Sequence, residues 1–158
     1  MHNLYDIEML PIFSEETRNY TSTSYCRKGS NKDYGTCLYR EADGKYVIFD
    51  DMGYGMITKI FLPDINENAV LEFYFENEET PSVCASVKSI FSGHCEFFKE
   101  KFVYISNDFK SHKSGYSCYQ PLIYDSRMLI KLVTDDDFFY YHIDYVKSNR
   151  SFANVPTE

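Results

Sequence analysis

The chain has 158 residues, a length that fits one domain and buries roughly two-thirds of the unfolded surface. Its formal net charge of −8 counts against nucleic acid and against an anionic membrane, which both call for clustered Lys and Arg, and leaves a neutral partner such as a sugar or another protein. Aromatic residues, all Phe and Tyr, make up 18% of the chain and favour sheets, while 7 Gly and 5 Pro are too few for a low-complexity segment.

Residues 1–17 form an N-terminal segment. Met1 to Phe13 has no charged stretch followed by an apolar run, so it does not read as a secretory signal. Phe13 to Thr17 is compatible with one turn of helix capped by Ser14. No stretch approaches the roughly 18 apolar residues of a membrane helix, and a cytoplasmic location is expected. Thr21 to Asp43 is polar and punctuated by Gly29, Ser30, Asn31 and Gly35, which predicts a long loop or a loose hairpin of functional interest.

Eight apolar runs follow at short intervals: Tyr46–Phe49, Met56–Leu62, Val70–Glu76, Val83–Val87, Phe102–Ser106, Ser117–Leu122, Met128–Val133 and Phe138–Val146. Short strands separated by turn residues predict an all-β antiparallel sandwich, and eight of them fit a jelly roll. Lys88 to Phe91 is the one place for a short helix. Alternation in the third run puts Leu71, Phe73 and Phe75 on one face and Glu72, Tyr74 and Glu76 on the other. Pro81, lacking an N–H, belongs at a strand start or a sheet edge. In the last run Phe139, Tyr141, Ile143 and Tyr145 alternate with Phe138, Tyr140, His142 and Asp144. A strand that is aromatic on both faces invites association, so a homo-oligomer is expected. The domain is expected over residues 18–146, with Lys147 to Glu158 a polar tail or linker.

The five cysteines, Cys26, Cys37, Cys84, Cys95 and Cys118, include no CxxC pair and read as free, buried thiols. Cys118 reads as structural and not as half of a Cys–His pair. Asp135, Asp136 and Asp137 lack calcium-loop spacing and predict a polar turn, and His2, His94, His112 and His142 are scattered, so no metal and no cofactor are expected. Asn31 and Asp33 lie two residues apart in a Gly-bearing loop. They suit hydrogen bonds to neighbouring sugar hydroxyls or a cation, or else cap their own turn. Glu78 and Glu79 are the other acidic candidates. Adjacent strand residues point to opposite faces, so the pair by itself cannot form the facing carboxylates of glycoside hydrolysis; a ligand contact or a hydrogen-bonded turn is left. Tyr119, with Tyr116 and Tyr124, offers a ring to stack on a sugar or a core side chain.

Five stretches in register carry a family resemblance. Arg18 to Asp33 ends in Gly29-Ser30-Asn31-Lys32-Asp33, and Gly53-Tyr54-Gly55-Met56-Ile57-Thr58-Lys59-Ile60-Phe61 forms a Gly-x-Gly strand. Leu71 to Gly93 contains the Glu-Glu-Thr-Pro-Ser turn, Gly115 to Ile130 follows, and Tyr140-Tyr141-His142-Ile143-Asp144-Tyr145 closes the series. The chain resembles the first jelly-roll lobe of glycoside hydrolase family 172, also known as domain-of-unknown-function family 2961. It is a divergent version, with Tyr54, Lys59, Phe61 and Asn77 where Pro, Arg, Trp and Gly are usual.

The resemblance implies a jelly-roll lobe, oligomerisation, and action on fructofuranosyl or arabinofuranosyl linkages. It implies catalytic glutamates in a second lobe, which would begin where this sequence stops, so none is carried onto a position here. The expected role is scaffold and subunit interface of a carbohydrate-active protein. The competing expectation is a stand-alone, non-catalytic sandwich that binds glycans or assembles.

Overall fold

The computed structural model describes residues 16–108 and 113–153. Eleven strands occur among the described residues: β1 (Thr17–Thr23), β2 (Tyr39–Arg40), β3 (Tyr46–Met52), β4 (Gly55–Pro63), β5 (Val70–Phe75), β6 (Val83–Ser86), β7 (Val103–Asp108), β8 (Lys113–Cys118), β9 (Leu122–Tyr124), β10 (Arg127–Val133) and β11 (His142–Ser148). One short helix, α1 (Val87–Phe91), sits where a helix was expected, with the Ser86 hydroxyl accepting from the Ser89 N–H as its N-cap. Among the described residues no helix is long and apolar enough to cross a membrane.

The strands form two antiparallel sheets. One has the order β1-β11-β4-β8-β7, with β9 also paired to β4; the other has the order β2-β3-β10-β5-β6. The pairings are nested: β1 with β11, β3 with β10, β4 with β8 and β9, and β5 with β6. A long antiparallel hairpin rolled across two layers gives this nesting, and the fold is the expected jelly-roll sandwich.

The count exceeds the expected eight for local reasons. β1 reads as polar in sequence because it is an edge strand whose core-side positions are Arg18, Tyr20 and Ser22, with no aliphatic residue among them. It occupies part of the stretch expected as loop, and the two-residue β2 occupies another. The run expected at Ser117–Leu122 is broken at Tyr119-Gln120-Pro121. Pro121 has no N–H for a ladder, and the Gln120 side chain accepts from Lys99 N–H at 2.7 Å and donates to Phe97 C=O at 3.0 Å. β11 starts at His142 and not at Phe138, because Gly35 and Ser24 donate instead to the carbonyls of Phe139 and Tyr141. It continues through Lys147 and Ser148. Of the helical turn expected at Phe13–Thr17, residues 13–15 lie outside the described residues, and Thr17 opens β1.

Pairing in register makes rows of side chains that alternate inward and outward. Ile143, Ile60, Cys118 and Val103 form one inward row across the first sheet; Phe73, Ile130 and Phe49 form one across the second. All are buried, and with Phe139, Tyr141 and Leu71 they make the core between the layers. Gly55 illustrates how tightly it is filled. A Cβ there would overlap the ring of Tyr124, whose hydroxyl donates to Asp51 at 2.8 Å.

Candidate functional site

The register fixes which loops share an end. The Phe75 end of β5 and the Met52 end of β3 both lie beside Arg127, at the start of β10, while Tyr46 and Val70 lie at its far end. Seven residues of β10 separate the two ends by roughly 20 Å. The β1–β2 loop, which holds Asn31 and Asp33, joins the far end, since Gly35 donates to Phe139 C=O at 3.0 Å just beyond β10. The turn with Glu78 and Glu79 is at the near end. One copy of this chain therefore cannot bring both pairs of candidates onto one small sugar.

In the β1–β2 loop, Asp33 Oδ1 accepts from the Cys26 N–H at 2.7 Å, closing the loop on itself, while Asn31 is exposed. Gly35, with φ of 65°, is where a side chain cannot go: a Cβ would strike the carbonyl of Asp137. Asp137 accepts from the buried Tyr46 hydroxyl, and Asp136 Oδ1 accepts from the Phe138 N–H at 2.8 Å. The Asp triplet is thus a polar turn docked against the loop. Among the described residues no group of three or more His, Cys, Asp or Glu is placed to hold a metal ion.

At the other end, Glu76 and Asn77 both have positive φ, 51° and 63°, and the Glu78 N–H closes the turn on Phe75 C=O at 2.9 Å. Two consecutive residues with positive φ are the mark of a type I′ turn, and here it opens the seven-residue connection from β5 to β6. Asn77 tolerates that conformation, but Glu76 is an unusual choice. Its carboxylate explains it, accepting from the Asp125 N–H, the Ser126 N–H and the Ser126 hydroxyl at 2.6 to 2.7 Å. Burial opposes the charged form, yet the Ser126 and Asp125 donors outweigh it and hold the Glu76 carboxyl below its ordinary range. Glu78 accepts from the Phe75 N–H and the Ser82 hydroxyl, so it also ties its own turn. Glu79 is exposed. Pro81 precedes β6, an edge strand. Sequence reasoning singled out Glu78 and Glu79 and missed Glu76, whose role depends on residues almost fifty positions away.

Tyr119 is 48% exposed and meets Tyr104 edge to face at 6.0 Å. Tyr116 and Tyr124 are core residues, so neither presents a ring to a ligand. Tyr119 borders an outward surface of the first sheet, whose rows are Thr23–His142–Phe61–Ser117–Tyr104, Thr21–Asp144–Lys59 and Asn19–Val146–Met56–Ile123. On it His142 Nε2 and Thr21 Oγ1 both contact Asp144 Oδ1, at 2.8 and 2.9 Å. His94 instead pairs with Ser92, and His2 and His112 lie outside the described residues.

All five cysteines are free, and only Cys118 is fully buried, which pushes its thiol up to about 11. Cys84 departs from the expected burial, because it faces outward on the edge strand β6, opposite Glu72.

A cleft of about 190 Å³ opens between β1 and the β2–β3 edge. Its walls include Thr21, Thr23, Tyr25, Arg27, Asp50 and Tyr145. The Arg27 guanidinium lies 4.8 Å from the centre of the Tyr25 ring and donates to Cys37 C=O at 3.2 Å. Asp50 accepts two bonds from Arg127 at 2.8 and 2.9 Å and one from the Tyr39 hydroxyl at 2.7 Å. Burial and that Asp50 bond push the Tyr39 hydroxyl up to about 12. Sequence reasoning passed over these residues; the signal was Tyr25-Cys26-Arg27, an aromatic and a cation in a Ser-rich stretch.

No curated protein matches the chain. The family model described as the GH172 first beta-sandwich domain matches residues 15–154, which hold all eleven strands of the sandwich and both of its candidate ends. The chain therefore belongs to glycoside hydrolase family 172, as a first β-sandwich domain.

Proposed function

We propose that this domain is the scaffold and subunit-interface lobe of a carbohydrate-active protein acting on fructofuranosyl or arabinofuranosyl linkages, and not a complete catalyst. The family match over residues 15–154 carries the carbohydrate part of the reading. The lack of self-sufficiency is supported by how the acids are used. Asp33, Glu76 and Glu78 are each consumed by backbone donors of their own or adjoining turns. Retaining hydrolysis needs two carboxyl groups about 5–5.5 Å apart across a scissile bond; Asp33 sits at the opposite end of the sandwich from Glu76 and Glu78, and those two are tied up in their own turn. In this reading Asn31 and Asp33 contact sugar from one end, while Glu78, Glu79 and Tyr119 serve a second lobe or subunit at the other. The interface part is supported by the outward face of the first sheet, where Tyr104, Tyr119 and Ile123 stay exposed beside Phe61, Met56 and Val146. That face would seat a second copy in a homo-oligomer.

The test is a thermal-shift and turnover screen of the 158-residue chain against fructofuranosyl and arabinofuranosyl compounds. Stabilisation without turnover, weakened by Asn31→Ala, is the expected result. Turnover by the chain alone would overturn the claim that it is not a complete catalyst, and silence in both assays would remove the sugar contact at Asn31 and Asp33.

A further inference from the structure

The inner face of the β1–β11 ribbon does not end with the core. Its rows run Tyr20–Tyr145, then Arg18–Lys147, then Glu16–Asn149, where the Asn149 N–H donates to Glu16 C=O at 3.2 Å. Tyr20 and the last two rows line an open recess of about 420 Å³, within the roughly 300–1,000 Å³ of small-ligand sites. The recess shares no lining residue with the cleft that holds Arg27 and Asp50.

Its charges are unevenly used. The Lys147 ammonium is held by Asp51 at 2.9 Å and by Met52 C=O at 2.8 Å, and the Glu16 carboxylate accepts from Arg150 at 2.7 Å. Those two ion pairs cancel. The Arg18 guanidinium meets no acceptor among the described residues, although it lies directly opposite Lys147, where like charges repel. A fork of five N–H donors is thus left over beside the recess, in a chain whose net charge is −8. Tyr20 lies two residues on from Arg18 and shares its face of β1. Its ring is fixed by stacking on Tyr145, with centres 5.5 Å apart, yet Tyr20 stays 41% exposed. A guanidinium fork matches the paired oxygens of a carboxylate or a phosphate, and an aromatic ring offers a flat apolar wall.

We propose that this recess binds one ring of monosaccharide size that carries an anionic group, a carboxylate or a phosphate monoester. Arg18 holds the anion through paired N–H···O bonds, the ring packs on Tyr20, and the Asn149 amide takes a ring hydroxyl. The bound anion also offsets the repulsion between Arg18 and Lys147, whose ammonium stays with Asp51 and Met52. The choice of a sugar ring rests on the carbohydrate reading above, whereas the anionic group rests on Arg18 alone.

The test is an amide chemical-shift titration of the ¹⁵N-labelled chain with D-galacturonate and with D-arabinose-5-phosphate. Neutral D-fructose and ring-less inorganic phosphate serve as controls. Saturable shifts over Glu16 to Tyr20 and Lys147 to Asn149 are expected with at least one of the two anionic sugars, and the one that saturates names the source of the anion. Arg18→Gln should weaken that binding by about tenfold or more with melting temperature unchanged, because the Arg18 side chain is exposed and holds no other group. Arg18→Lys should recover only part of it, since an ammonium lacks the fork, and added salt should weaken the wild-type binding. The absence of saturable shifts with both anionic sugars, binding that survives Arg18→Gln, or equally tight binding of D-fructose or inorganic phosphate would each overturn the proposal. Failure of the anionic sugars while furanosyl compounds still act through Asn31 would sink the recess and leave the preceding reading standing. Arg18-dependent binding with no response to furanosyl compounds at Asn31 would do the reverse.

Discussion

The two outward faces of the sandwich are built from the same strand chemistry and end in opposite conditions. On the five-stranded sheet, Val47, Tyr74 and Leu129 form a second small apolar cluster, which charged side chains close over. Lys131 lies 4.6 Å from the centre of the Tyr74 ring and pairs with Glu41 at 2.8 Å. Glu72 accepts from Lys45 at 3.1 Å and from the Tyr74 hydroxyl at 2.7 Å, while Asp50 takes Arg127 and Tyr39. That face is finished within one chain. On the six-stranded sheet Lys59 lies 5.6 Å from the centre of the Phe61 ring, but among the described residues no ion pair crosses the row of Val146, Met56 and Ile123, and Tyr104 and Tyr119 remain exposed. The contrast separates a face closed by its own ion pairs from one that has surface left to bury.

The largest expected effect comes from opening the closed face. Glu72→Ala leaves the Lys45 ammonium and the buried Tyr74 hydroxyl without their acceptor, and about 2–3 kcal/mol of stability should be lost in urea denaturation. A loss within 0.5 kcal/mol, roughly the range of ordinary surface changes, would mean that this network is decoration. Arg127→Met removes the paired bonds to Asp50 and should cost about 1–2 kcal/mol, read the same way.

Acid should act in the same direction. The Asp50 carboxyl is held below its ordinary value: burial opposes this, but Arg127 and Tyr39 outweigh it. Glu76 is likewise lowered from about 4.5. A carboxyl whose folded value is depressed contributes stability that is present above its unfolded value and lost as pH falls through its folded one. Melting temperature should thus hold down to about pH 4.5 and fall below it. Arg127→Met should flatten the part of that fall due to Asp50. An acid limb identical in wild type and variant would remove Asp50 from the account.

The smallest effect on stability belongs to the open face. Ile123→Lys should change the monomer's stability by less than about 0.5 kcal/mol, because Ile123 is 39% exposed and touches no ion pair.

Much of this architecture was legible beforehand. Period-two alternation placed Leu71 and Phe73 inside and Glu72 and Tyr74 outside, and the structure agrees. Alternation could not say that Glu72 and Tyr74 are buried on that outer face, since the cover comes from Lys45 and Lys131, distant in sequence. β1 escaped because an edge strand needs only one inward side chain in two, and its Thr and Ser residues read as loop. The ends of the sandwich were harder still. Whether Asp33 and Glu78 share a site depends on strand order, and the jelly roll sends their turns to opposite ends. The cleft was invisible because its walls come from β1, β3, β11 and the loop after β1, which no local pattern links.

Sedimentation velocity of the wild-type chain and of Ile123→Lys at micromolar concentration tests the central claim most directly. The account predicts an oligomer for the wild type and a monomer of unchanged melting temperature for the variant. A monomeric wild type, or an oligomer indifferent to Ile123→Lys, would contradict the assignment of the six-stranded sheet as the association face.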